Sequence, residues 1–292
     1  MDIGIITVKG IDYHPNQRLR EAARGRGLHL ECIDPYSLLP GISSGRLTFS
    51  SGMPQGLPRV VLPRQGAQIG SSSLIILTQL QCLGIPLVNG PAAIRIASNK
   101  FWTLQVLAAG GLRVPDTLFA NSAPAFWSGI ERLGGYPLVG KAVSSRQGRD
   151  VELLKGPEAA EWYLHRHLDP ARGLLLQRFL PPRGRRDFRV LVIGGRVVGS
   201  MELQACAGDF RSNFHVSGWS RPTNLGAEQE RIALDSVRLL GLSIAGVDLI
   251  EDSQAGCLVL EVNSTPGFKG LEAASGLDIA DAIIVHAASF MR

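Results

Sequence analysis

AGVDLI (245–250) and LEVNSTPG (260–267) are two apolar runs interrupted by polar groups at strand spacing. Side chains alternate between the two faces of a strand, so Glu261 and Asn263 share one face while Leu260 and Val262 point to the other. Asp248 sits between Val247 and Leu249 in the preceding strand. An acid within such apolar strands is costly unless it is paired or binds a cation. Three oxygen donors suit Mg²⁺ or Mn²⁺, with phosphate oxygens and water completing the shell. The other reading of the pattern is an open sheet face on which these groups meet water.

Working outward, DFRVLVIGGRVVG (187–199) predicts a hairpin, Phe188–Ile193 and Arg196–Leu203, turning at Gly194–Gly195. Asp187 and Arg189, two residues apart, fall on one face. Asp187 can accept from ribose hydroxyls, and Arg189 can stabilise charge on a reacting carboxylate or phosphate. The loop GDFRSNFH (208–215) places Arg211 to neutralise a γ-phosphate, with Ser212 and Asn213 beside it. LLLQRFL (174–180) is an apolar strand entering a connection, a hinge that can offer backbone groups and an apolar wall to adenine. Arg183, Arg185 and Arg186 read as a solvated loop.

The chain has only five lysines, Lys9, Lys100, Lys141, Lys155 and Lys269, so one within an apolar segment stands out. Lys141 lies in YPLVGKAV, a strand predicted over Tyr136–Val143. Lys100 opens a helix capped by Ser98 and running to Ala109. Either can hold a phosphate as a point charge. After Lys141, SSRQG holds Gln147 and Gly148, and its backbone N–H groups can cover phosphates.

Upstream, strands at Ile3–Val8, Leu28–Ile33, Arg59–Leu62 and Pro86–Val88 alternate with helices at Pro15–Arg26 and Ser72–Leu83. This βαβ rhythm implies a parallel sheet. No GxGxxG follows the first strand, so no dinucleotide fingerprint is present. From Leu174 onward the strands turn antiparallel, with helices at Glu228–Leu240 and Ile279–Phe290. The fold class is therefore mixed α/β and α+β. The divisions expected are 1–95, 96–174 and 175–292.

The composition of 292 residues, 45% of them hydrophobic, with a net charge of +5, excludes a disordered chain. No apolar stretch reaches membrane-spanning length, and MDIGIITVKG reads as a first strand rather than a leader. Cys32, Cys82, Cys206 and Cys257 are scattered without a CxxC pair. They read as reduced thiols of a cytoplasmic protein. The pI near 9.3 comes without a nucleic-acid-binding motif.

Taken together, ASNKFWTLQVLAAGGLRVP, PLVGKAVSSRQG, LLLQRFLP, DFRVLVIGGRVVG, GDFRSNFH, AGVDLI and LEVNSTPGFKGLE resemble the RimK family of ATP-grasp α-L-glutamate ligases. The likeness covers nearly the whole chain, including PRQGAQIG (63–70). It implies an ATP-grasp fold behind an N-terminal Rossmann-like (preATP-grasp) domain, with ATP held between the central and C-terminal subdomains. It assigns Lys100 and Lys141 to the phosphates. Gln177, Arg178, Phe179 and Leu180 become the adenine hinge and Asp187 the ribose contact. Arg211 and Asn213 become contacts to nucleotide and intermediate, and Asp248, Glu261 and Asn263 the Mg²⁺ ligands. The implied reaction is acylphosphate formation on a carboxylate acceptor, followed by attack of the L-glutamate amine, with no enzyme nucleophile. A homo-oligomer without membrane or nucleic-acid partners is expected. Two departures stand out: Arg178 replaces the family's usual acidic hinge residue, and SSRQG lacks the threonine often found before QG.

Two other readings remain open at this level. One is a related ATP-grasp ligase using another amino acid or forming a peptide. The other is a basic ribosome- or RNA-binding protein without catalysis, against which the acidic triad argues, since three acceptors without a cation would repel RNA.

Overall fold

A computed structural model describes residues 1–50, 52, 56–64, 72–144, 150–205, 217–253 and 255–291. In the first part, strand β1 (Ile3–Ile6) leads to helix α1 (His14–Gly25) and β2 (Leu30–Ile33). A small hairpin, β3 (Pro40–Ser43) and β4 (Arg46–Phe49), precedes β5 (Val60–Pro63), α2 (Ser72–Cys82), α3 (Pro91–Ala97) and α4 (Lys100–Ala109). The parallel sheet has the order β2-β1-β5. Strands β1 and β5 are short apolar runs buried on both faces, as parallel strands usually are, while β2 at the edge is buried only at Leu30 and Ile33. The strand expected at Pro86–Val88 is reduced to a single parallel bridge, Val61 to Leu87. The β3–β4 hairpin and α3 were not foreseen.

The second part holds β6 (Thr117–Ala120), α5 (Ala123–Arg132), β7 (Leu138–Ala142), β8 (Val151–Leu154), α6 (Pro157–His167) and β9 (Leu174–Arg178). Its sheet, β6-β9-β7-β8, is antiparallel throughout. Apart from the small β3–β4 hairpin, antiparallel pairing thus begins at Thr117, not at Leu174 as expected. Because β9 pairs with β6 and β7, we propose dividing the chain after β9 rather than at 174/175. Phe126 of α5 and Tyr163 of α6 are fully buried beneath this sheet.

The third part comprises β10 (Arg185–Ile193), β11 (Arg196–Ala205), β12 (Ser217–Pro222), α7 (Ala227–Leu239), β13 (Ile244–Asp252), β14 (Gly256–Asn263), α8 (Lys269–Ser275) and α9 (Ile279–Ala288). The strand order is β12-β11-β10-β13-β14, every pair antiparallel. Gly194 and Gly195 turn the β10–β11 hairpin with φ of +57° and +73°, the left-handed pair that a tight two-residue turn needs. One face of this sheet buries Phe188, Val190, Val247 and Val259 against α7 and Leu107 of α4. The opposite face buries Leu191, Ile193 and Ile244 against α8, α9 and the parallel sheet. Along β10 that second face is apolar at Leu191 and Ile193 and charged at Asp187 and Arg189. The N-terminal part therefore covers only one end of it, and the charged end carries the candidate site.

Asn89 joins the parts from inside. Its side-chain amide donates to the carbonyls of Ile244 (2.8 Å) and Ser264 (2.9 Å). Its oxygen accepts from the backbone N–H groups of Ser243 (2.6 Å) and Ile244 (3.0 Å).

Candidate active site

Strand register brings Arg189, Asp248 and Glu261 into one row across β10, β13 and β14: Arg189 lies opposite Asp248, and Asp248 opposite Glu261. A β-bulge makes this possible. Leu249 pairs with Val259, so Leu260 is the extra residue and the alternation restarts after it. Without the bulge, Glu261 would share the face of Val259 and enter the core under α7. Glu261 and Asn263 share a face by regular alternation, as expected from spacing; the bulge before them decides that this face is the charged one. Gly246 faces Asn263 across the strands, and a Cβ there would lie 3.0 Å from Pro266 Cβ and 3.6 Å from Arg189 Nε. The missing side chain lets Pro266 and Arg189 close over the row.

Asp248 is largely buried. Its Oδ1 lies 3.4 Å from Arg189 Nε without forming a hydrogen bond, and Oδ2 accepts from Asn263 Nδ2 at 3.3 Å. Burial pushes its carboxyl up to about 6; Arg189 opposes this, while Glu261 and Asp187 add to it. An underused buried carboxylate oxygen, a second carboxylate opposite and an amide alongside form an oxygen-rich set that fits a hard divalent cation. Among the described residues no cluster of three or more His, Cys, Asp or Glu side chains has metal-binding geometry, so a cation held here would need the amide of Asn263 as third donor.

Two lysines approach this row. The Lys100 Nζ is 3.6 Å from Glu261 Oε1, and its backbone N–H donates to Val143 O at 3.0 Å, pinning the start of α4 to the end of β7. Asn99, not Ser98, caps α4, accepting from the N–H groups of Phe101 and Trp102, both at 3.0 Å. Ser98 instead closes α3, its N–H already spent on Ile94 O. The Lys141 ammonium donates to the side-chain oxygen of the buried Gln177, whose Nε2 donates to Thr117 Oγ1 at 2.8 Å. Burial pulls Lys141 down to about 8; Glu261 counters this, and Lys100 and Arg185 reinforce it. Glu261 and Arg185 act on Lys141 from strands of the five-stranded sheet, and Lys100 acts from the start of α4.

Arg185 corrects the expectation of a solvated loop. Its side chain is 5% exposed, donates to Asp187 Oδ2 at 3.1 Å and also bonds the carbonyl of Leu180. It thereby ties the hinge to the ribose candidate. The signal was available: Arg185 and Asp187 sit at i and i+2 of one strand. Arg186, on the other face, is half exposed and pairs with Glu202 and Glu251. In the hinge, Gln177 and Arg178 end β9, with Phe179 and Leu180 half-buried after it. Arg178 turns outward to Asp116 at 3.0 Å. Gln147, Gly148, Arg211, Ser212 and Asn213 lie outside the described residues, as does most of PRQGAQIG. The candidate site thus comprises Asp187, Arg189, Asp248, Glu261 and Asn263 on the five-stranded sheet, Lys100 on α4, and Lys141 and Gln177 on the four-stranded sheet, with Arg185 and Asn89 as supports that sequence reasoning missed.

Residues 97–287 match the RimK-like ATP-grasp domain and residues 1–94 the RimK PreATP-grasp domain. A "Probable alpha-L-glutamate ligase" of Sodalis glossinidius is 40% identical over 273 residues, covering 92% of this chain and 90% of that protein. Another so named, of Pectobacterium carotovorum subsp. carotovorum, is 39% identical over 290 residues, covering 97% and 93%. Among solved structures, the RimK domain ATP-grasp protein of Sphaerobacter thermophilus aligns with a TM-score of 0.78 at 23% identity over 98% of this chain and 99% of that one. The ATP-grasp ligase PsnB, complexed with minimal precursor, Mg and ADP, aligns with a TM-score of 0.74 at 20% identity over 99% and 97%. At these identities the structural likeness is one of fold. No helix among the described residues is long and apolar enough to cross a membrane.

Proposed function

The chain belongs to the RimK family of ATP-grasp ligases, and from that premise we propose that it uses Mg²⁺-ATP to add L-glutamate to a carboxylate acceptor through an acylphosphate. The observation that carries this is the charged row. Asp248 and Glu261 face each other beside Asn263, flanked by Lys100 on one side and Arg189 on the other. A largely buried acid facing a partly exposed one, with a cation at each side, is poorly settled alone, and a bound divalent cation with its phosphates would relieve both sets.

Asp248, Glu261 and Asn263 would hold Mg²⁺, or Mn²⁺ in its place, and the bound cation would neutralise phosphate charge. Lys100 and Lys141 hold the phosphates. Lys141 is kept in place by Gln177 and Gln177 by Thr117. Asp187, oriented by Arg185, takes the ribose, and backbone groups of residues 177–180 line the adenine. An acceptor carboxylate oxygen bonds to the γ-phosphorus as the bond to the ADP oxygen breaks. The glutamate nitrogen then bonds to the acyl carbon as phosphate leaves, and the amine proton passes to phosphate or water. Arg189 faces the charge that grows in both steps, and Arg211 is assigned to the same task. Positioning and charge neutralisation do this without an enzyme nucleophile.

The test is ADP release in Mg²⁺-ATP with each substrate omitted in turn. The reading requires release to depend on both L-glutamate and an acceptor, with a product heavier by one glutamyl residue. Equal turnover with other amino acids in place of glutamate would refute the glutamate assignment.

A further inference from the structure

Arg64 follows the last residue of β5, at the carboxyl end of the parallel sheet, and its backbone N–H continues the pairing by donating to Ile6 O at 2.8 Å. Crevices outside the carboxyl ends of such strands are where open α/β sheets bind ligands. The guanidinium donates from Nη2 to Pro266 O at 3.0 Å and stacks on the Phe268 ring, 5.4 Å from its centroid. Pro266 in turn packs on Gly246 beside Arg189, so Arg64 stands one residue removed from the charged row. Burial pulls Arg64 down to about 10, and of the described titratable groups only Tyr13 counters that. No carboxylate of the described residues pairs with it. A half-buried cation with its plane fixed by a ring, one N–H anchored on a carbonyl and no acid among the described residues to answer it is arranged to receive an anion from outside the chain.

We propose that Arg64 is a substrate-binding residue that recognises a carboxylate of the amino-acid or acceptor substrate, delivered to the charged row from the side of the N-terminal sheet. This rests on the ligase reading above and extends it. The planar fork suits carboxylate bidentately, and the anchor on Pro266 couples its position to the loop that follows Asn263. A second carboxylate is present in either substrate: the α-carboxylate of glutamate, which must stay unreacted, and that of an acceptor ending in glutamate.

The experiment compares the unmutated protein with Arg64→Met and Arg64→Lys, using L-glutamate, its α-amide L-isoglutamine, and N-acetyl-L-glutamyl-L-glutamate as acceptor probe. Arg64→Met should raise one substrate's KM about tenfold to a hundredfold, the usual weight of a charged hydrogen bond. Mg²⁺-ATP affinity and Tm should stay near those of the unmutated protein. Arg64→Lys should recover part of the loss. A rise in the glutamate KM, with lost preference over the α-amide, identifies the amino-acid carboxylate; a rise in the acceptor KM identifies the acceptor. Unchanged KM values for both overturn the proposal. So does parallel loss of Tm and Mg²⁺-ATP affinity in both variants, which would make Arg64 only a clamp on Pro266. If the unmutated protein turns over neither substrate, the ligase reading itself fails. Equilibrium dialysis of radiolabelled glutamate and peptide against the unmutated protein and Arg64→Met then decides, equal binding overturning the proposal.

Discussion

Replacing Lys141 with methionine should stabilise the protein while crippling nucleotide binding. Burial holds the Lys141 ammonium at about 8 against an ordinary 10.5. At about 1.4 kcal/mol per pKa unit, keeping that charge in the fold at pH 7 costs about 3 kcal/mol. Methionine removes the charge and retains most of the apolar stem. It also strips Gln177 Oε1 of its donor, which returns about 1–2 kcal/mol of the gain. A net gain of about 1–2 kcal/mol raises Tm by roughly 2–6 °C. The gain has a pH signature. The folded pKa lies below the unfolded one, so between about 8 and 10.5 the unfolded chain holds the proton and the fold does not. Stability of the unmutated protein therefore rises with pH through that window, and the advantage of the variant shrinks. Over the same window Mg²⁺-ATP binding should take up a proton at Lys141, seen as a buffer-dependent binding enthalpy. Differential scanning calorimetry and titration calorimetry together decide. Expected are a higher Tm at pH 7 and an affinity weaker by about tenfold to a hundredfold. A lower Tm with affinity intact would refute the reasoning, because Lys141 would then be a structural partner of Gln177 and nothing more.

Three further outcomes follow from the same geometry. Asp248→Asn and Glu261→Gln should each lower ADP release by about a hundredfold or more in folded protein, and rates near the unmutated value in Mg²⁺ would remove them from the cation site. Arg189→Ala should lower kcat about a hundredfold to a thousandfold with little change in the KM for Mg²⁺-ATP, Arg189→Lys recovering part of it; a change confined to KM would make Arg189 a ground-state contact, and the same split is expected of Arg211. Asn89→Ala leaves the backbone of Ile244 and the Ser264 carbonyl without their side-chain partner, so urea unfolding should show a loss of roughly 2–4 kcal/mol, and a loss under 1 kcal/mol would mean water replaces the amide.

Much of the core of the fold was legible because local chemistry and tertiary need agree there. Gly194–Gly195 is a turn by conformation alone, and the alternation through Val247, Asp248 and Leu249 survives into the sheet. What escaped depends on where elements end and how they pack, which composition does not show. Ser98 and Asn99 are both good cap residues, and the choice fell to Asn99 because α3 ends on Ser98. Arg185 looked solvated among arginines and glycines, and only the position of Leu180 and Asp187 around it makes burial affordable. The bulge at Leu260 leaves no mark in composition. Lys141 was picked out by its apolar setting, but its Gln177–Thr117 support joins three strands that no local pattern connects. Arg64 was legible only as part of PRQGAQIG, with no role of its own, since its significance lies in having no acid beside it among the described residues.

The claim that the row formed by Arg189, Asp248 and Glu261 supports phosphoryl transfer to a carboxylate is tested most directly by isotope transfer. An acceptor labelled with oxygen-18 in its carboxylate is incubated with Mg²⁺-ATP, L-glutamate and the enzyme, and the phosphate released is analysed by mass spectrometry. Passage through an acylphosphate moves one labelled oxygen into each phosphate formed, in step with amide product. Phosphate without the label, released alongside amide product, would contradict the account.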